Sequence, residues 1–436
     1  MQYRQLGHSG LLVSEIILGT VPFGGRAEFE KCGAVDVPLA KRMFDMAFDA
    51  GVNMVDTADL YSHGLAEEVV GKALGDKRND ILLATKGRSP VDDNPNNSGS
   101  SRYHLIRACE ASLKRLGTDH IDLYQLHNWD GMTPIEETLE ALRLLVGSGK
   151  IRYFGTSNFT AWQMMKTLGK AELHGMLKPI TQQIYYTPES REAEYELLPL
   201  ALDQQVGTLV WGPMGEGLLT GTTRRGHKPP ANTRQGSGWP EPYVHDQERA
   251  LDIIETLAAV GDEHGVSVAR TCLAWLKDRP GITSLIIGAR TEAHLRDNLA
   301  ATELLLHDNG YLVDAVRNAA DAIEKVRSDN NGYSLVILDY HLPDKTGADA
   351  LAALRTINPN LYVLVYSGDT KSRDPVMATL RGGAVDFIEK SEDPRYLLDI
   401  VQQWCSKFDE TTRLLIAPAS LSENETLVRS FGIAGR

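Results

Sequence analysis

The stretch NMVDTADLY, residues 53–61, is a short apolar run that stops at a carboxylate, Asp56, and then reaches a phenol, Tyr61. Two later runs end in the same manner: ILLATKG (81–87) carries Lys86 and IDLYQLH (121–127) carries His127. Ending a buried strand on a titratable group is costly unless the group has a partner or a use. Three such endings in succession predict one site built from the C-terminal ends of several parallel strands, which is where a (β/α)8 barrel places its active site.

Working outward, the runs VSEIILGT (13–20), IRYFGTSN (151–158), ITQQIYY (180–186), GTLVWGP (207–213) and TSLIIGA (283–289) bring the number of strand-like segments to eight. Amphipathic segments lie between them. In PIEETLEALRLLVGSGK, Ile135, Leu139, Leu142 and Leu145 recur at helical spacing, Pro134 stands at the expected start and Gly147 and Gly149 at the expected end. The pattern predicts an α/β fold, a (β/α)8 TIM barrel over residues 1–302 rather than an open doubly wound sheet. The opening YRQLGHSGLLVSEI, with a turn at His8-Ser9-Gly10, reads as a small hairpin under the barrel. Two long Gly/Pro/Asn-rich loops, 89–102 and 222–242, follow strand ends and so belong over the predicted site. The second is expected to act as a lid or cofactor clasp.

The chain has 436 residues, 42% hydrophobic and 24% charged, with a formal net charge of −13. That balance argues against a general nucleic-acid or anionic-membrane partner. The four cysteines (Cys32, Cys109, Cys272, Cys405) are scattered without CxxC spacing and are expected to be reduced thiols, with no metal site. The polar start MQYRQLGHSG has no signal-peptide pattern, and no apolar run approaches a membrane span, so a cytoplasmic location is expected.

Carbonyl reduction needs a proton donor at the oxygen and a hydride donor at the carbon. Tyr61 is a candidate acid, Lys86 a cation able to stabilise its phenolate, Asp56 a clamp for that cation, and His127 a hydrogen-bond donor to the carbonyl. Singly, each has an ordinary structural use as helix cap, amphipathic core, solvated cation or satisfied core histidine. Four together on one predicted face favour a site.

GVNMVDTADLY, LATKG and YQLHNWD resemble the catalytic segments of the aldo-keto reductases, as do SLKRLGTDHIDLYQLH, GKIRYFGTSN, QQIYY, GLLTG and IIGARTEAHLRDN. The resemblance runs in order from residue 3 to about 301. It implies reduction of an aldehyde or ketone by NADPH, with Tyr61 as general acid, Lys86 and Asp56 tuning it and His127 orienting the carbonyl. It also implies a cofactor platform: Ser157, Asn158 and Gln183 for the nicotinamide carboxamide, Trp211 stacked on the ring, then Pro213, Gly217 and Leu218. Gly288 and Arg290 would meet the 2′-phosphate, with His294 and Asn298 nearby, Asn298 toward the adenine. The chain departs from the family at Gly212, where Ser is common, and at His294, where Gln is common. No GxGxxG follows a first strand.

After about residue 303 the texture changes to LVDAV, SLVILDY, LYVLVYSG and VDFIEK, separated by helical segments. SLVILDYHLPDKTG resembles the phosphoacceptor strand of a response-regulator receiver, with Asp339 as candidate acceptor, Ser367 as hydroxyl and Lys390 as lysine. The expected fold is a smaller, incomplete or permuted flavodoxin-like α/β receiver domain over 303–412, lacking its first strand. The tail 413–436, RLLIAPASLSENETLVRSF onward, resembles that missing strand and helix, with Ala417-Pro418 in place of the acidic pair. Two arrangements remain open, a permuted receiver or the start of a truncated second one. In the first, residues 413–420 fill the vacant slot in cis.

The reading is an NADPH-dependent reductase acting on a small-molecule carbonyl. The alternatives are an NADPH-binding redox-sensing module, which channel-associated members of the family resemble, and a reductase gated by phosphorylation of Asp339. A protein partner would then dock on the receiver-like part.

Overall fold

A computed structural model describes residues 1–90, 92–227, 229–231, 233–237, 239, 242, 244, 246–302, 312–316, 318–328, 332–367, 380, 382–389, 401 and 413–417. It divides into two compact units, Met1–Thr302 and Glu303–Arg436.

In the first unit, β1 (Tyr3–Gln5) and β2 (Leu12–Ser14) form an antiparallel hairpin. Eight parallel strands then close into a barrel: β3 (Ile16–Gly19), β4 (Met54–Asp56), β5 (Leu82–Gly87), β6 (Ile121–Leu126), β7 (Ile151–Ser157), β8 (Thr181–Tyr185), β9 (Gly207–Trp211) and β10 (Ser284–Gly288), with β10 pairing β3 and β9. Parallel strands are covered on both faces, which is why they read as near-continuous apolar runs. Leu6 and Val13 of the hairpin segment cluster with Ile17, Met54, Ala84, Leu123, Leu209 and Ile286, so the hairpin plugs the end of the barrel opposite the strand C-termini. Arg4 fastens it there through the carbonyls of Lys277 and Ile282 at 2.7 and 3.1 Å.

The outer helices are α1 (Val37–Asp49), α2 (Leu65–Leu74), α3 (Arg102–Leu116), α4 (Ile135–Gly147), α5 (Ala161–Leu173), α6 (Leu197–Gln204), α7 (Gln247–His264), α8 (Val268–Lys277) and α9 (Glu292–Leu299). Their starts follow local chemistry. Asp36 accepts from the Leu39 amide to begin α1, Ser101 accepts from His104 to begin α3, and Thr160 with Gln163 closes a capping box on α5. The segment 13–20, expected as one strand, is split between β2 and β3. The Asn53 side chain accepts the Ser14 amide at 2.8 Å, and the Ser14 hydroxyl turns back to the Ile16 carbonyl at 2.6 Å, which breaks the extended run at buried Glu15.

The second unit contains a five-stranded parallel sheet of β11 (Leu312–Ala315), β12 (Leu335–Asp339), β13 (Tyr362–Ser367), β14 (Asp386–Glu389) and β15 (Arg413–Ala417), in the order β11-β15-β12-β13-β14. The last strand in sequence is therefore inserted between the first two. Leu338 faces Ala417 across that pairing. This is the slot a first strand fills in a flavodoxin-like sheet. Leu335, Val336, Leu338, Leu351, Leu354, Val363 and Leu415 supply buried apolar side chains. Helices α10 (Ala319–Ser328) and α11 (Gly347–Ile357) pack on one another, and Asp344 accepts the Ala319 and Ala320 amides that open α10. Residues 418–420 and Lys390 lie outside the described residues.

Candidate active site

The strand ends bring Asp56, Tyr61, Lys86 and His127 together. Lys86 is fully buried at the end of β5, and its Nζ donates to Asp56 Oδ1 at 2.5 Å, to the Thr57 carbonyl at 3.0 Å and to the Tyr61 hydroxyl at 3.1 Å. The backbone after β4 stays registered to β5, because the Thr57 and Asp59 amides donate to the Ala84 and Lys86 carbonyls. Tyr61 begins a tight turn in which Ser62 and His63 adopt left-handed φ of 49° and 51°. The Ser62 hydroxyl holds that turn against the Phe23 carbonyl at 2.7 Å. The strain of two such residues is the cost of aiming the phenol inward.

The His127 ring stands edge-on to Tyr61, with centroids 5.9 Å apart at 81°. Its Nδ1 is buried without a partner, its amide donates to the Gly87 carbonyl, and its carbonyl accepts from Asn158 Nδ2 at 3.1 Å. Burial, and then the Lys86 and Arg88 charges, push the imidazole pKa down to about 3, so it is neutral at physiological pH. Burial lifts the Tyr61 phenol above the ordinary tyrosine range against the opposing pull of Lys86. Burial alone would depress Lys86, yet the Asp56 charge and the bonds to Asp56 and Tyr61 hold the ammonium above the usual lysine range. The charged form of the lysine therefore persists at a fully buried position.

Two amides complete this core and were not singled out in the sequence for this role. Gln125 Nε2 and Gln183 Nε2 both donate to Asp56 Oδ2, at 3.0 and 2.9 Å, and Gln183 also donates to Gln125 Oε1 at 3.1 Å. With Lys86 on the other oxygen, the Asp56 carboxylate is satisfied on both sides. Gln183, expected at the nicotinamide carboxamide, thus spends its amide nitrogen on Asp56.

The other residues expected to form a cofactor platform lie at or after the ends of β7, β9 and β10. Ser157 Oγ is buried without a partner. Asn158, at φ 57°, bridges the His127 carbonyl and the Trp211 indole, whose Nε1 donates to Asn158 Oδ1 at 2.9 Å. Trp211 lies 4.8 Å from Tyr185, centroid to centroid. Gly212 follows at φ 57°, and a Cβ there would lie 3.2 Å from the Tyr185 ring. A serine at this position would be both strained and crowded. The Pro213 carbonyl accepts from the Cys272 thiol at 3.5 Å, and Gly217 (φ 98°) and buried Leu218 form the following turn. Gly288 ends β10 and Arg290 precedes α9, whose cap Thr291 accepts the His294 amide at 3.2 Å. His294 is exposed, while Asn298 is buried with Nδ2 3.5 Å from the Gly288 carbonyl.

Aromatic side chains from loops roof the phenol. Phe29 stands 6.2 Å from Tyr61 and 6.5 Å from Trp239, which belongs to the 222–242 loop. That loop is pinned by Arg224 to Glu255 at 3.0 Å and by Arg234 to Glu216.

Residues 15–312 match the sequence model of the aldo/keto reductase family. The chain belongs to the aldo/keto reductase family. Residues 295–402 match the response regulator receiver domain. The chain is 38% identical over 317 residues to an uncharacterized oxidoreductase, YrpG, of Bacillus subtilis (strain 168), covering 70% of this chain and 92% of that one. It is 35% identical over 317 residues to a probable voltage-gated potassium channel subunit beta of Arabidopsis thaliana, with the same coverage. To a versiconal hemiacetal acetate reductase of Aspergillus parasiticus it is 33% identical over 328 residues, 70% of this chain and 94% of that one. The chain is thus an oxidoreductase, an NAD(P)H-dependent aldo-keto reductase with a receiver domain after the barrel. No helix among the described residues is long and apolar enough to cross a membrane.

Proposed function

We propose that the barrel reduces an aldehyde or ketone with NADPH, and that Tyr61 protonates the developing alkoxide. The observation that carries this reading is the Asp56–Lys86–Tyr61 chain of hydrogen bonds, 2.5 and 3.1 Å, running from buried Asp56 and Lys86 to partly buried Tyr61 at the strand ends. The bound cofactor supplies the hydride. Lys86 offsets the charge left on the phenolate oxygen as the proton departs, and Asp56, held by Gln125 and Gln183, keeps the ammonium in line. His127 is neutral, so one ring nitrogen can donate to the carbonyl oxygen without giving up its proton. The residues fit a nicotinamide: the orphaned Ser157 hydroxyl offers a donor and an acceptor to a carboxamide, and the Trp211 ring offers a flat face. Arg290 beside the first turn of α9 favours the 2′-phosphate and hence NADPH over NADH.

The test is cofactor consumption, measured by nicotinamide absorbance, with NADPH and NADH against a panel of aldehydes and ketones. Consumption of NADPH with at least one carbonyl supports the reading. Tight NADPH binding with no turnover across the panel favours instead a redox-sensing module, a reading encouraged by the likeness to a potassium channel subunit. Gating through Asp339 is a further reading, as is a protein partner on the receiver domain. A change of reductase activity with acetyl phosphate and magnesium, lost in Asp339→Ala, would support the gating.

A further inference from the structure

Arg88, two residues beyond Lys86, enters the reaction as derived only through its charge on His127. The β5–β6 register pairs Gly87 with Leu126, so Arg88 leaves the barrel alongside His127, and its charge is one of the two that depress that imidazole. Its backbone φ is 119°, a region that L side chains rarely enter. Holding an arginine there strains the backbone in a way that a glycine would not. Arg88 is partly buried, its Nε is buried without an acceptor, and no ion pair or side-chain hydrogen bond engages it among the described residues. The other cations near the phenol are spent: Lys86 on Asp56 and Arg234 on Glu216. In a chain of formal net charge −13, carboxylate partners are plentiful, yet none meets this one. A strained, partly desolvated cation with an unmatched donor next to the carbonyl-orienting histidine suits an anionic partner.

We propose that Arg88 anchors a carboxylate on the substrate, so that this reductase takes aldehydes or ketones bearing a carboxylate on the His127 side of the carbonyl. The planar guanidinium pairs a carboxylate through two parallel N–H bonds, whereas a phosphate dianion asks for more positive charge than this one group supplies. The inference rests on the reductase reading, and benzoate, which hydride transfer does not reduce, separates the two.

The experiment compares 4-carboxybenzaldehyde with its methyl ester in the full-length protein and in Arg88→Gly and Arg88→Met. Benzoate binding is followed in parallel by tryptophan fluorescence. The wild type should favour the acid over the ester in kcat/KM by roughly tenfold or more, the worth of one charge-assisted hydrogen bond. Both variants should bring that ratio near unity and weaken benzoate binding by a similar factor. Arg88→Gly should also raise Tm, because it removes the strained side chain while the backbone keeps its course. A wild type indifferent to the carboxylate, a ratio that survives in both variants, or unchanged benzoate binding overturns the proposal. If neither aldehyde is reduced but benzoate binding still depends on Arg88, the reductase reading fails and the anion site stands. If instead the variants only make the rate fall with imidazole protonation while the acid-to-ester ratio persists, Arg88 merely sets the charge of His127 and the proposal is overturned.

Discussion

Replacing Tyr61 with phenylalanine removes one oxygen and leaves the ring. In the wild type that oxygen lies 3.1 Å from Lys86 Nζ, while the ammonium keeps Asp56 at 2.5 Å and the Thr57 carbonyl at 3.0 Å. The lysine therefore stays paired in the variant, and the ring keeps its packing against Phe29. Loss of one hydrogen bond whose donor retains two acceptors should cost about 1 kcal/mol of stability. The chemical step loses its proton donor, and a positioned general acid contributes about 10²–10⁴-fold, or ~3–5 kcal/mol of barrier. Single-turnover oxidation of prebound NADPH by an accepted aldehyde isolates the chemical step, and cofactor fluorescence titration reports binding separately. Tyr61→Phe should lose kcat by that factor, bind NADPH within about twofold of wild type and shift Tm by only a few degrees. A variant that turns over as fast as wild type refutes Tyr61 as the acid. A variant that loses NADPH binding or unfolds refutes the inference that Lys86 is held independently of the phenol.

Asp59 is buried beside Glu67, and burial followed by the Glu67 charge raises its carboxyl pKa to about 8. The folded value lies above the unfolded one, so this group's contribution to stability is full below about pH 4 and is lost as pH rises toward 8. Asp59→Asn should match wild type near pH 4 and become progressively the more stable form as pH rises toward 8, read by urea unfolding; a pH-independent difference refutes the assignment. Truncation before Arg413 removes the strand between β11 and β12 together with fully buried Leu414 and Leu415. It should destabilise the second unit by at least ~3 kcal/mol from apolar burial alone, seen by calorimetry as a lowered transition and by light scattering as association through the two bared strand edges. An unchanged unfolding profile would remove β15 from the stable fold.

The barrel was readable because its strands are covered on both faces and its helices carry their caps in the sequence. Strand endings made the tetrad readable: Asp56 and Lys86 are the last or next-to-last residues of their strands, and His127 follows directly on β6. Gln125, and the bond from Gln183 to Asp56, were not readable for the opposite reason. Both glutamines lie inside strands, where a neutral amide reads as tolerated polarity, and only the closed barrel shows that both reach one oxygen of Asp56 from strands that do not pair with β4. Phe29, Trp239 and Arg88 sit on connections, whose course is set by tertiary contacts rather than by periodicity. For Arg88 the telling feature is a backbone angle, which no residue pattern encodes.

The second unit separates what a strand must do for folding from what it must do for chemistry. Filling the slot beside β12 requires an extended apolar segment of the right length, and RLLIA meets that requirement, pairing parallel to β11 on one side and β12 on the other. Binding a divalent cation beside Asp339 would further require oxygen ligands at the C-terminal end of that strand. The residue opposite Leu338 is Ala417, and the sequence continues with Pro418. Neither side chain supplies an oxygen. Asp339 itself lies buried at the end of β12 and turns one carboxylate oxygen to the His341 amide at 2.9 Å. Closing the sheet draws on the whole of β15, whereas an acidic pair would occupy only two positions at its end. The requirement for closing the sheet is therefore met by β15, while the end of that strand brings no oxygen ligand beside Asp339.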